Sequence, residues 1–272
     1  MPRIQTKPFS KYCYSLLIVA LLMVSHAFAV QKGDTSRAVF KFKTVVIDAG
    51  HGGKDPGAHG VNAKEKNIAL AIALKLRDAV NDQMPSLKVI MTRTTDKFVE
   101  LQQRAQIAND AKADLFISIH CNSSPQKTGT RKGTLVLVYG YHRKAEQLEA
   151  LRENSSIYQE KDYSIKYQGY KGNDPTYFIL LNVLMQNHRE QSIKFGRFVS
   201  DEFKRDSRRV EGVGEQGLLV LAHTAMPSVL VETGFVNNPE EEKYLDSEEG
   251  QNEIAQAILR GLKKYKKGFD RN

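Results

Sequence analysis

Three short apolar runs constrain this chain more than anything else in it. VVIDAGHGG (residues 45–53), LFISIHCNS (115–123) and VLVETGF (229–235) each read as a buried strand that closes on a residue able to do chemistry. Between them lie amphipathic stretches such as Asn67–Asp82, with Ile68, Ala71, Ile72 and Leu76 at helical spacing. Strands that alternate with helices predict an α/β fold, a single domain with a mainly parallel, twisted sheet flanked by helices. The strands are expected at Val45–Asp48, Leu87–Met91, Leu115–His120, Thr134–Tyr139, Gly217–Leu221 and Ser228–Glu232. Helices are expected at Asn67–Asp82, Leu101–Ala111, Ile254–Tyr265 and, briefly, from Pro239, which follows Asn238 as a first-turn proline should.

The first 29 residues stand apart. Arg3, Lys7 and Lys11 make a basic start, Tyr14–Val24 is apolar but too short to span a bilayer comfortably, and Ala27-Phe28-Ala29 offers a cleavage site. Residues 1–29 are read as a secretory signal peptide, 30–42 as a lead-in and 43–268 as one catalytic domain. The protein is therefore expected to be exported, to the periplasm or cell envelope, with no stable membrane span in the mature chain. Losing the leader's three basic residues lowers the net charge from +9 to +6. Basic residues scatter among acids, which argues against a nucleic-acid arm. Cys13 leaves with the leader, so Cys121 is alone and no disulfide scaffold is possible. Cys121 adjoins His120, but neighbours on a strand face opposite ways, so the pair is not a nucleophilic dyad.

In open α/β sheets, ligands bind beyond the carboxyl ends of the strands. His51, set among glycines, His120 and Glu232 all belong to such ends, and Glu65 starts the first helix on the same side. Two imidazoles and two carboxylates at one rim suit a hydrolytic zinc site, which uses three protein ligands and leaves a fourth group to manage protons. Bare backbone around His51 would let ion and substrate approach. A phosphate loop does not fit: position 55 is Asp where a dinucleotide fingerprint needs Gly. Asp48 and Asn122 are read as orienting the ligands or as capping turns. Arg93 is a candidate for substrate carboxylates, Arg104 is read as structural, and His223 could line the cleft.

VVIDAGHGGKDPGA, KEKNIAL, the Arg93, Asp96, Leu101, Arg104, Ala108-Asn109 pattern, DLFISIHCNS, Gly133-Thr134 and MPSVLVETGFVNN occur in that order. Together they resemble the zinc-dependent N-acetylmuramoyl-L-alanine amidases of the amidase type 3 family, over nearly the whole mature chain. The resemblance implies one zinc ion per chain held by His51, Glu65 and His120, with Glu232 as the catalytic glutamate. It implies peptidoglycan as substrate and cleavage of the amide between N-acetylmuramic acid and L-alanine. Two other readings remain: a zinc hydrolase of another peptide or amide, and a non-catalytic wall-binding protein with a relic site, against which the retention of all four site residues argues.

Arg143–Asp206 is longer than a bare catalytic core requires, and is helical in pattern with a break near Gly169–Pro175. In regulated relatives an inserted helix blocks the zinc, which makes Glu146, Glu149, Glu153 and Glu160 candidate plugs here. Glu153 leads, because Leu148, Leu151 and Ile157 would dock its helix. An activating protein partner would act by drawing that helix away.

Overall fold

The computed structural model describes residues 41–140, 147–167 and 175–270. The expected leader, most of the lead-in and Glu146 lie outside them. The first strand, β1 (Thr44–Ala49), leads through the site loop into α1 (Glu65–Gln83), followed by β2 (Lys88–Met91) and α2 (Leu101–Asp110). Strands β3 (Leu115–Asn122) and β4 (Thr134–Tyr139) precede α3 (Leu148–Asn154), a 3₁₀ turn (Ser155–Gln159) and α4 (Tyr163–Lys166). The long α5 (Pro175–Arg205), β5 (Val210–Gln216), α6 (Leu219–Ala222), β6 (Ser228–Phe235), α7 (Pro239–Leu245) and α8 (Glu248–Phe269) complete the order. Six strands form one sheet in the order β2-β1-β3-β6-β4-β5. All neighbours are parallel except β4 and β6, which run antiparallel.

Alternation along the strands divides the protein. Ile117, Ile119 and Cys121 face one core with Ile68 and Ile72 of α1, Phe195 and Val199 of α5, and Ile258 of α8. Phe116, Leu137 and Leu230 face the other, under Ala108 of α2, Leu219 and Leu221 of α6, and Ala150 and Ile157 of the segment after β4. Each fully buried Val, Leu, Ile or Phe contributes about 1.5–3 kcal/mol, so both faces must be covered for the sheet to persist. His120 and Glu232 share the second face and are paired in register across β3 and β6. Cys121 is buried on the opposite face, as strand geometry requires.

Two expectations change. Gly217–Leu221 is not a strand: Leu219–Ala222 is a helical turn covering the second face, and the strand lies upstream at Val210–Gln216. That edge strand, VEGVGEQ, is mostly half-exposed and mixes glycine with charge, so its apolar signal is weak. The expected insertion over 143–206 is also too long. Phe195, Val199 and Phe203 are core residues, so the second half of α5 builds the domain.

Beneath the site, Asp48 is fully buried and accepts from Thr92 Oγ1 at 2.6 Å, Ser118 Oγ at 2.6 Å and Arg104 Nη1 at 2.7 Å. Burial alone would raise its pKa, but Arg104 and the two hydroxyls outweigh it and hold the carboxyl below its ordinary 3.8. Because the folded-state pKa is depressed, this stabilisation is present above the unfolded value near 3.8 and fades as pH falls through the lower folded value. Asp48→Ala would strand the buried Arg104 charge, and we expect a loss of about 3–5 kcal/mol. A lower urea midpoint with an unchanged slope is the result to look for.

Candidate metal centre

His51 follows β1 in left-handed backbone, at φ 55°. Such strain costs a non-glycine residue about 1–3 kcal/mol and persists only where the surroundings impose it. Here Arg104 Nη2 donates to the His51 carbonyl at 2.7 Å, while Arg93 donates to Ala49 O at 2.9 Å and Gly50 O at 2.6 Å. The His51 ring meets Asp55 Oδ2 through Nδ1 at 2.9 Å, which turns Nε2 towards Glu65. A Cβ on Gly50 would stand 2.4 Å from the His120 ring, and one on Gly57 would stand 2.7 Å from Glu65 Oε2. The glycines thus admit the site's own side chains, where sequence suggested room for substrate.

Glu65 opens α1 with its carboxylate fully buried, accepting from Cys121 N at 2.9 Å and Ala58 N at 2.8 Å. His120 Nδ1 lies 3.0 Å from Glu65 Oε1, and the two histidine rings stand edge-on with centroids 4.8 Å apart. A fourth donor comes from α3. Glu153 Oε2 lies 2.8 Å from His120 Nδ1 and 3.2 Å from His51 Nε2. One ligand atom from each of His51, Glu65, His120 and Glu153 lies within 4.8 Å of all the others.

These four fit a metal ion. His51 Nε2 is 3.2 Å from both carboxylates yet hydrogen-bonds to neither, and both Glu153 oxygens lack a hydrogen-bond partner. Apart from the His120–Glu65 hydrogen bond, these atoms crowd together without bonding one another, as donors aimed at a shared point do. Electrostatics agree. Burial pulls the His120 pKa down, but Glu153 and Glu65 overcome it and lift it to about 9; His51 is raised likewise, chiefly by Glu65.

Glu232 stands beside this cluster. Burial pushes its pKa up to about 8, against the pull of Arg152. Arg152 Nη2 donates to Glu232 Oε1 at 2.9 Å and lies 2.7 Å from Glu153 Oε1, while its Nη1 donates to Cys121 O at 2.9 Å. Ser156, one turn on, donates to Asp55 Oδ2. Successive residues of one inserted segment therefore contact the histidines, Glu232 and the carboxylate that orients His51.

Other expectations fare unevenly. Asp48 touches no cluster side chain and acts through Arg104. Arg93 does not await a carboxylate: it donates to the carbonyls of Ala49, Gly50, Thr95 and Lys66, binding the site loop to α1. Arg104 is structural, but buried rather than a surface pair. His223 is out of the cleft, since its carbonyl accepts from Asn109 at the far end of α2, near the start of β3. Asn122 orients no ligand; its Oδ1 accepts from Ser123 N. Glu149 accepts from Gln216, and Glu160 from Leu101 N and Tyr167, so neither reaches the cluster. Leu148 and Leu151 are exposed, at 62% and 45%, leaving Ala150 and Ile157 to dock the segment. Asp55 and Arg152 were not foreseen. Asp55 lies four residues after His51, a spacing that hints at its role; Arg152 gives no local signal.

A profile of the N-acetylmuramoyl-L-alanine amidases (Amidase_3) matches residues 45–264. N-acetylmuramoyl-L-alanine amidase AmiC of Escherichia coli O6:H1 is 34% identical over 224 residues, covering 81% of this chain and 52% of that protein. The chain thus spans about half the length of that curated relative. An N-acetylmuramoyl-L-alanine amidase structure from Clostridium difficile 630 aligns with TM-score 0.61 at 26% identity, covering 82% of this chain and 96% of that one. The CwlD amidase of Clostridioides difficile, solved in complex with the GerS lipoprotein, aligns with TM-score 0.58 at 28% identity, covering 82% and 98%. With the profile spanning most of the chain and the fold shared, this protein belongs to the N-acetylmuramoyl-L-alanine amidase family Amidase_3.

Proposed function

We propose that this chain is a zinc-dependent peptidoglycan amidase, exported to the cell envelope, which holds itself inactive until a protein partner moves its inserted helix. The carrying observation is the buried His51–Glu65–His120 set with Glu232 alongside, in a chain of this family. The bond cleaved is the amide between the lactyl group of N-acetylmuramic acid and L-alanine.

His51 Nε2, His120 Nδ1 and Glu65 Oε1 would hold the zinc. When bound, zinc supplies a Lewis acid for the scissile carbonyl and brings the pKa of water from 15.7 to about 7. Glu232 takes the proton of the attacking water and hands one to the departing amine, a role worth about 10²–10⁴-fold. Asp55 fixes the His51 ring through Nδ1, and Glu65 is kept ionised by backbone amides. The buried sheet face beneath excludes bulk water and strengthens each of these interactions.

Glu153 supports the self-blocking reading: its carboxylate joins the three expected donors and would fill the position a catalytic site leaves open, while Arg152 engages Glu232. A relative captured with a lipoprotein supports control by a protein partner. Export rests on the leader expected at residues 1–29, and among the described residues no helix is long and apolar enough to cross a membrane.

Three measurements test this reading. Metal analysis should find one zinc per chain, and His120→Ala should lose both zinc and release of alanyl-terminated peptides from purified sacculi, seen by mass spectrometry. Full zinc and normal turnover in that variant would refute the ligand assignment. Glu232→Gln should keep its zinc yet slow turnover at least about 10²-fold; loss of metal instead would make Glu232 a ligand. Glu153→Ala should raise the basal rate without a partner by roughly tenfold or more, the effect of about 1.4 kcal/mol of lost closed-state contact. An unchanged rate in a folded, zinc-loaded protein would leave the segment as surface structure.

A further inference from the structure

Beyond Glu232 the second sheet face continues into a cavity of about 220 Å³. Asn122, Ser124 and Arg131 line it from the strand side, and Leu148 and Arg152 from α3. Asn122, 1% exposed, ends β3 two residues after His120. Its Oδ1 is committed to Ser123 N at 2.7 Å, which fixes the orientation of the amide. Its Nδ2 is buried and has no hydrogen-bond partner among the described residues. A buried donor left unpaired is destabilising, and native proteins retain few of them without a reason.

The cavity's place in the reaction suggests that reason. Arg152 bridges the two regions: it sits on Glu232 Oε1 and the Cys121 carbonyl, and it also walls the cavity. Resting on the amidase reading, Glu232 serves the departing amine, so the cavity beside it receives the stretch of substrate that lies beyond that amine. The first hydrogen-bonding group there is the carbonyl of the alanine. We infer that Asn122 is a substrate-positioning residue whose Nδ2 donates to the first carbonyl of the leaving peptide, in a subsite uncovered when α3 moves. The contact would aim the scissile nitrogen at Glu232, and it selects amines that carry a carbonyl one carbon away.

Two synthetic disaccharide muropeptides test it, identical except that one has an (E)-alkene in place of the peptide bond after alanine. The alkene keeps the shape and removes the oxygen. Wild-type protein should prefer the natural peptide in kcat/KM by roughly tenfold, the effect of one well-placed hydrogen bond. Asn122→Asp keeps the acceptor for Ser123 N and replaces the donor, and it should abolish that preference by slowing only the natural substrate. Asn122→Ala should do the same. Because the ratio is taken within one preparation, partial unfolding or residual blocking by α3 cancels. An equal fall on both substrates, or a preference that survives substitution, would overturn the subsite. If wild type cleaves both at the same rate, the subsite falls and the amidase reading stands. Because the closed segment alone would silence wild type, the pair is also given to zinc-loaded Glu153→Ala protein, and if that cleaves neither, both fall.

Discussion

Glu65 brings a carboxylate, fully buried, to the first turn of α1, and the rest of the centre is arranged around the need to satisfy it. An ionised carboxylate without partners is among the most unfavourable groups to bury. Two backbone amides, Cys121 N and Ala58 N, take its oxygens, and two imidazoles approach its remaining lone pairs. Those amides belong to the end of β3 and to the loop after β1. The carboxylate therefore pins together the two segments that carry His120 and His51. Arg93 and Arg104 complete the frame by filling backbone carbonyls of the same loop, which keeps His51 in its left-handed conformation.

The inserted segment obeys the same electrostatics. Glu153 adds a second buried carboxylate to the cluster, and burial would push its pKa up; Arg152 and His120 outweigh that and hold it well below the ordinary range. Neighbouring residues of opposite charge thus meet opposite halves of the centre, the acid at the histidines and the base at Glu232. Neither could be buried there alone at low cost. The segment is held elsewhere too: Glu160 accepts from Leu101 N at the start of α2, which has no side-chain cap of its own. Asn154 pairs with Gly217 O and Leu219 N beside α6.

The fold was legible where burial is uniform. Val45–Ile47, Leu115–Ile119 and Val229–Val231 are fully buried and announce themselves as apolar runs. His51, Glu65, His120 and Glu232 were legible because strand ends and helix starts share a side of the sheet, a rule of topology that needs no side-chain detail. The elements that stayed hidden depend on tertiary contact. The edge strand β5 is half-exposed and reads as loop, while the buried Gly217–Leu221 reads as strand although Leu219–Ala222 is a helical turn. Arg93 looked like a substrate anchor because sequence shows a charge and not the four carbonyls that consume it. Leu148 and Leu151 looked like docking residues, but Glu153 is carried in by Ala150 and Ile157, and by polar contacts that no periodicity encodes.

If a partner opens the site, as proposed, this wiring sets what that partner must supply. Contacts that tie α3 and its 3₁₀ turn to the centre are polar and charged, and water can replace most of them once the segment lifts. The apolar contribution to closure is limited, resting on Ala150, Ile157 and Tyr167, whereas Leu148, Leu151, Tyr158 and Ile165 face solvent. An equilibrium moved from 1:99 to 99:1 requires a partner that prefers the open form by about 5.5 kcal/mol. Since those side chains are exposed in the closed form as well, burying them shifts the equilibrium only where the partner groups them in an arrangement that the open segment alone allows. Two or three so buried would contribute about 3–9 kcal/mol before ordering costs are counted. On that proposal a closed state built on charge opens only to a partner that holds the lifted segment in a new arrangement, and Glu65 would keep the histidines in place because its amide partners lie on the sheet and loop, not on that segment.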